Sequence, residues 1–211
     1  MRRILFVILS LCLQLNTVAS DATTNGGQNI GEGVSAKVEV LYDSSYYEAT
    51  ANTKTHLEKI VSTKNDVPSR DYFEDLFKKV REHFNKQSVM INITVGNVRA
   101  IGNISVPYGT GNQSIYGNQT LQKLIGYGGA LGASNNTVYC LFTPKNIYEE
   151  SNRGDRQPIS RTEIATQGSF CTNNTSAAVV KLYFTGRSYL ATVSAMAMYF
   201  WLWPPHPFLA V

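Results

Sequence analysis

Apolar and polar residues alternate from Ala36 to Tyr42, with Val38 and Val40 on one side and Lys37 and Glu39 on the other. A period of two belongs to a strand with one buried face, so a first strand is expected over 36–42. From Ser69 the period lengthens: Phe73, Leu76, Phe77, Val80 and Phe84 recur on one face of a helix,. Ser69 is a capping residue type, and Asp71 and Glu74 suit the positive end of the helix. Burying each apolar side chain of that stripe contributes roughly 1.5–3 kcal/mol, so packing rather than propensity holds this helix. Period two returns over Ser88–Ile101 through Val89, Ile91, Ile93 and Val95, and predicts a second strand.

Gly117 and Asn118 open another helix with Leu121, Leu124 and Ile125 inward, ending near Gly128, Gly129 and Gly132,. Thr137–Thr143 is a nearly continuous apolar run closed by Pro144, the pattern of a strand buried on both faces,. Two more strands are expected over Glu163–Thr166 and Ala177–Phe184, and a last helix over Ser188–Ala197. The stretches between read as loops: Asp43–Pro68 with a helical turn, and a polar segment after Pro144. Strand, helix, strand, helix, strands, helix is the order of an α/β sandwich.

The two ends stand apart from this pattern. Met1–Ser20 has Arg2 and Arg3, an apolar run from Ile4 to Leu15, and small residues before Asp21; this reads as a signal peptide, too short to span a bilayer. Residues 21–35 are rich in Gly, Asn and Thr and read as a flexible arm. Residues 198–211 crowd Tyr199, Phe200, Trp201, Trp203 and Phe208 around Pro204, Pro205 and Pro207. That composition cannot continue a helix through the prolines.

A secreted, extracellular chain changes how several residues are read. Cys12 falls in the signal peptide, leaving Cys140 and Cys171, either joined to each other or with at least one lacking a partner,. N-x-S/T acceptors for glycans occur at Asn92, Asn103, Asn112, Asn118, Asn135, Asn173 and Asn174,. The overlapping last two are expected to carry at most one glycan, and Asn92, in a predicted strand, is open to the alternative of staying bare,. With 19 basic residues, Arg2 and Arg3 among them, against 15 acidic, the mature chain is near neutrality. Nucleic acid is therefore not an expected partner.

Several segments resemble the N-terminal two-thirds of the catalytic domain of reprolysin-like metzincin zinc proteases, in particular the secreted salivary type of ticks. KVEVLYD (Lys37–Asp43) is similar to that fold's first strand, Phe73–Gly96 to its long helix and second strand, and TLQKLIGY (Thr120–Tyr127) with VYCLFT (Val138–Thr143) to the next helix and strand. ATQGSFCTNNTSAAVV (Ala165–Val180) resembles its A-x-x-G-x-x-C segment and the edge strand after it. GRSYLATVSAMA (Gly186–Ala197) looks like the start of the helix that leads into H-E-x-x-H-x-x-G-x-x-H.

The resemblance implies a zincin-like mixed-sheet sandwich with flanking helices over 36–197, incomplete at its C-terminal end. It also implies zinc-dependent cleavage of host extracellular proteins. Met198, Tyr199, Phe200 and Trp201 stand where the first ligand histidine and the glutamate should follow. Zinc catalysis needs converging imidazoles and a base for the metal-bound water, and His56, His83 and His206 have no such spacing. No catalytic residue, metal ligand or cofactor is therefore assigned, and an inactive chain, truncated or altered before the motif, is expected. A domain cut there should leave Val179, Leu182 and Phe184 short of partners. Cys171, whose family counterpart pairs beyond the motif, is expected to be unpaired.

Two alternatives come from other classes. Arg153, Gly154 and Asp155 form an RGD triplet in a polar loop, a guanidinium and a carboxylate that an integrin would recognise,. The apolar stretch Tyr189–Trp203 suggests a membrane-associated glycoprotein, although 15 residues before Pro204 are too few for a full span.

Overall fold

The computed structural model describes residues 30–44, 69–132, 134–150, 157–183 and 188–200. The signal-peptide segment, the arm up to 29, and the RGD triplet lie outside these residues, as do His56, His206, Phe184 and the end of the chain from 201.

β1 (Ser35–Asp43) is the strand predicted from the first alternating run, and it sits inside a sheet. It pairs in parallel with β2 (Asn92–Ile101) on one side and β4 (Thr137–Thr143) on the other. β8 (Ser176–Lys181) continues in parallel beside β4, and β7 (Glu163–Ala165) closes the edge antiparallel, giving the order β2-β1-β4-β8-β7. Three short strands, β3 (Ser114–Tyr116), β5 (Asn146–Glu149) and β6 (Ile159–Arg161), form a second sheet in the order β3-β5-β6. Three helices flank them: α1 (Arg70–Lys86), α2 (Gly117–Ala130) and α3 (Ser188–Tyr199). The protein is thus a mixed α/β fold with a mixed sheet and helices on both faces, as the hydrophobic pattern predicted.

The two faces of the sheet build two cores. Val38, Val40 and Tyr42 of β1, Val138, Cys140 and Phe142 of β4, and Ala178 and Val180 of β8 pack with α1 and α3. Leu41, Tyr139, Leu141, Ala177 and Val179 turn the other way, toward Leu121 and Leu124 of α2 and Ile115 and Ile147 of the small sheet. β4 therefore has no solvent face, which is why its sequence runs apolar without alternation,. α1 begins as expected: the Ser69 hydroxyl accepts the Tyr72 N–H at 3.2 Å. Its stripe is fully inside, with Phe73 tilted on Phe142 at a centroid distance of 4.9 Å.

A bulge in β2 explains one buried charge. Val38 pairs with Val95 and Val40 with Val98, so Gly96 and Asn97 together oppose Glu39,. Burial pushes the Glu39 carboxyl up, but Lys37 at 2.7 Å and two N–H bonds from Asn97 outweigh it, and the group settles below its ordinary value. A Cβ on Gly96 would lie 2.6 Å from the Glu39 oxygen and 2.8 Å from Lys37 Cε, so a side chain there would displace the ends of the ion pair.

The structure departs from the sequence reading at identifiable places. β2 starts at Asn92 rather than Ser88, because Ser88 turns the chain with φ +59 at the end of α1 and Val89 makes only an isolated bridge to Ile30. The strand after the A-x-x-G-x-x-C segment is β8, which is interior; the edge strand is β7, which precedes that segment. Val179 and Leu182 are not short of partners, being 0% and 3% exposed. Val179 is covered by α2, and the Leu182 N–H is held by the Thr143 carbonyl at 2.8 Å. α3 runs through the boundary drawn at Ala197, so residues 198–200 belong to the packed domain.

Candidate functional site

The edge of the sheet where β7 meets α3 is the place the resemblance singles out, and it is built from hydroxyls and one carboxylate. α3 starts at Ser188, whose side-chain oxygen accepts the Tyr183 N–H at 2.8 Å. One turn on, the Thr192 hydroxyl donates to the Ser188 carbonyl at 2.8 Å, satisfying a buried hydroxyl within the helix. Ser194 then reaches across to β7 and donates to Glu163 Oε1 at 2.7 Å, while Thr162 donates to Oε2 of the same carboxylate. Glu163 is half-buried. Thr166, Ser169 and Ser176 continue the polar seam through hydroxyl contacts of 2.6 and 2.9 Å.

The segment that follows β7 closes the C-terminal end of α3. Gly168, at φ +57, gives its N–H to the Met198 carbonyl at 3.0 Å. The last carbonyls of a helix have no partner inside it, so this loop acts as the helix's stop. Phe200 follows, edge-on to Phe170 at 4.7 Å and to Phe84 of α1 at 6.3 Å. Tyr199 points into the core, 1% exposed, with its hydroxyl 3.8 Å from Cys140 Sγ.

These residues do not fit a zinc ion. Along Ser188–Tyr199 the only heteroatom side chains are Ser, Thr, Tyr and Met, none of which is among zinc's usual ligands, Cys, His and carboxylate,. Glu163 accepts from the hydroxyls of Ser194 and Thr162, and His83 sits near the end of α1 with its ring against Phe84. Among the described residues Ser194 has a carboxylate partner and no hydrogen bond to an imidazole, the base that most often activates a serine nucleophile,. Among the described residues no helix is long and apolar enough to cross a membrane.

The other candidates are dispersed. Asn92, Asn103, Asn112, Asn118, Asn135, Asn173 and Asn174 are all exposed. Cys140 is a free, buried thiol, whereas Cys171 is half of a disulfide. The two are therefore not joined to each other, and the expectation of an unpaired Cys171 is corrected. Arg153, Gly154 and Asp155 fall between β5 and β6, outside the described residues. Sequence reasoning missed Glu163, Ser194 and Tyr199: an isolated Glu and Ser carry no spacing signal, and Tyr199 was assigned to the aromatic tail. It also missed the end of β1, where Asp43, 2% exposed, meets Ser105, Thr143 and Lys145 and ties β1 to β4.

No family profile matches the chain, and no curated protein matches it. Among solved structures the chain is similar to archaemetzincin from Methanopyrus kandleri, at 10% identity over 81% of this chain and 74% of that chain, with a TM-score of 0.40. A likeness of that degree leaves the functional reading to the residues themselves.

Proposed function

We propose that the chain is a secreted metzincin-type relative of reprolysin-like zinc endopeptidases, a family that cleaves host extracellular proteins, and that these 211 residues carry no hydrolytic chemistry of their own. One observation supports both halves. α3 lies against the antiparallel edge strand, as the helix before a zinc motif would, yet it continues into Met198, Tyr199 and Phe200, two of them buried. Zinc, where bound, supplies a water whose pKa falls toward 7; the three histidines of the sequence, His56, His83 and His206, lack the spacing of a zinc-ligand set,. Purified mature protein incubated with zinc and a denatured protein substrate is expected to give no cleavage above buffer. Chelator-sensitive cleavage overturns the inactive reading.

A second reading is favoured by the strand pairing around the RGD triplet. β5 and β6 are antiparallel with Glu149 opposite Ile159, so residues 150–158 connect the two strands and the triplet is central in that connection. We propose integrin recognition there as the alternative. Asp155→Glu lengthens the acid by one methylene and is expected to abolish binding to immobilised integrin; undiminished binding removes this reading.

A further inference from the structure

We infer that the acceptor asparagines carry N-linked glycans in two groups, one at each end of the sheet, and that the side of α1 and α3 stays bare. This rests on passage through the secretory pathway as proposed above. The parallel strands all begin at one end: Ser35 pairs with Asn92, Lys37 with Thr137, and Val138 with Ser176. Asn92 is the first residue of β2, Asn135 lies two residues before β4, and Asn173 and Asn174 just precede β8. With strands about 4.8 Å apart, these asparagines form a row along one rim. The Asn135 carbonyl, accepting the Cys171 N–H at 3.0 Å, ties its two loops together.

The second group sits at the opposite end. Asn103 lies two residues past the end of β2, and Asn118 lies in the first turn of α2. Asn112 lies in the loop closed by the Pro107–Ile115 bridge. Lys145, just past β4, donates to Asn112 Oδ1 at 3.3 Å, so this contact does not engage Nδ2. Nδ2 is the reacting atom. It attacks the anomeric carbon of a lipid pyrophosphate-linked oligosaccharide; the N–C bond forms, the C–O bond to pyrophosphate breaks, and the pyrophosphate leaves with the electron pair. One Nδ2 proton passes to the transferase's base.

Adjacent Cα atoms are about 3.8 Å apart, so only one of Asn173 and Asn174 is occupied. No acceptor triplet lies on α1 or α3, where Tyr72 and Leu190 are 38% and 39% exposed.

The full chain is expressed in eukaryotic secretory cells, recovered from the medium, and treated with peptide-N-glycosidase in heavy-oxygen water, which marks each used asparagine as labelled aspartate. Label is expected at Asn92, Asn103, Asn112, Asn118, Asn135 and one of Asn173 and Asn174. Hydroxyl-radical footprinting before and after glycan removal should show Tyr108 gaining reactivity and Tyr72 unchanged. A secreted, signal-cleaved chain without label in either group, or with Tyr72 unmasked by glycan removal, overturns this inference alone. An unprocessed chain retained in the cytosol overturns the secretory reading along with it.

Discussion

Tyr199→Ala is expected to lower the stability of the fold by about 3–5 kcal/mol, the range for truncating a large buried aromatic. Tyr199 is the largest fully buried side chain among the described residues, 1% exposed, and belongs to the core between the sheet and α3. The cavity left by alanine would be walled by β4 and β8, whose backbones are fixed by pairing on both sides, and by α3, whose C-terminal end is held by Gly168 and Phe170. Such a site collapses little, so the cost falls at the upper part of the range. Single domains have only about 5–15 kcal/mol in total.

The check is a urea midpoint for wild type, Tyr199→Ala and Tyr199→Phe. Phenylalanine removes only the contact to Cys140 Sγ and should cost about 1 kcal/mol or less. If alanine leaves the midpoint where it was, with unchanged slope, the residues beyond Ala197 contribute nothing to the fold.

That experiment bears on where the sequence was legible and where it was not. β1, α1, α2 and β4 were readable because each is long enough for a period to show. The α1 stripe, Val38, Val40, Leu121 and Leu124 are buried as expected, while Ile125 is only partly buried and the face of β1 that read as polar is buried too, at Glu39 and Leu41. The small sheet was not. β3, β5 and β6 have three or four residues each, and the buried ones among them, Ile115 and Ile147, are single apolar positions in polar surroundings. Strands of that length are specified by neighbours distant in sequence, which no local pattern reveals.

The same limit hid the seam at β7. Glu163 meets Ser194 across 31 positions. Tyr199 was misassigned for the opposite reason: its local composition matched an aromatic, proline-rich tail, while its actual partner, Cys140, lies 59 positions away. Asp43 shows both effects, since it closes a readable strand yet owes its burial to Ser105, Thr143 and Lys145.

The Cys140–Tyr199 contact also makes the fold sensitive to alkali. Burial pushes the Cys140 thiol from 9.0 up to about 12, with the Tyr199 hydroxyl pulling slightly the other way. Burial likewise holds the Tyr199 hydroxyl well above 10.0, and the bond to Cys140 adds to it. For both groups the folded value exceeds the unfolded one. Below about pH 9 both states keep their protons, and stability is fully present. As pH rises from 9 toward 12 the unfolded chain gives up the thiol proton while the folded chain keeps it. The unfolded state then binds fewer protons, and stability falls.

Three units at about 1.4 kcal/mol each make the loss from Cys140 on the order of 4 kcal/mol by pH 12,. Tyr199 adds to it around and above pH 10, as do Tyr72 and Tyr139, which burial also raises. Between pH 9 and 10 the thiol accounts for about 1 kcal/mol of the loss, and the raised tyrosines, half ionised in the unfolded chain at pH 10, add a comparable amount between them,. Stabilities from urea midpoints measured at pH 8, 9 and 10 should fall for both proteins, and by pH 10 about 1 kcal/mol further for wild type than for Cys140→Ala,. Parallel curves for the two proteins across that interval would mean that the thiol ionises as readily folded as unfolded, and that the core beneath α3 is open to water.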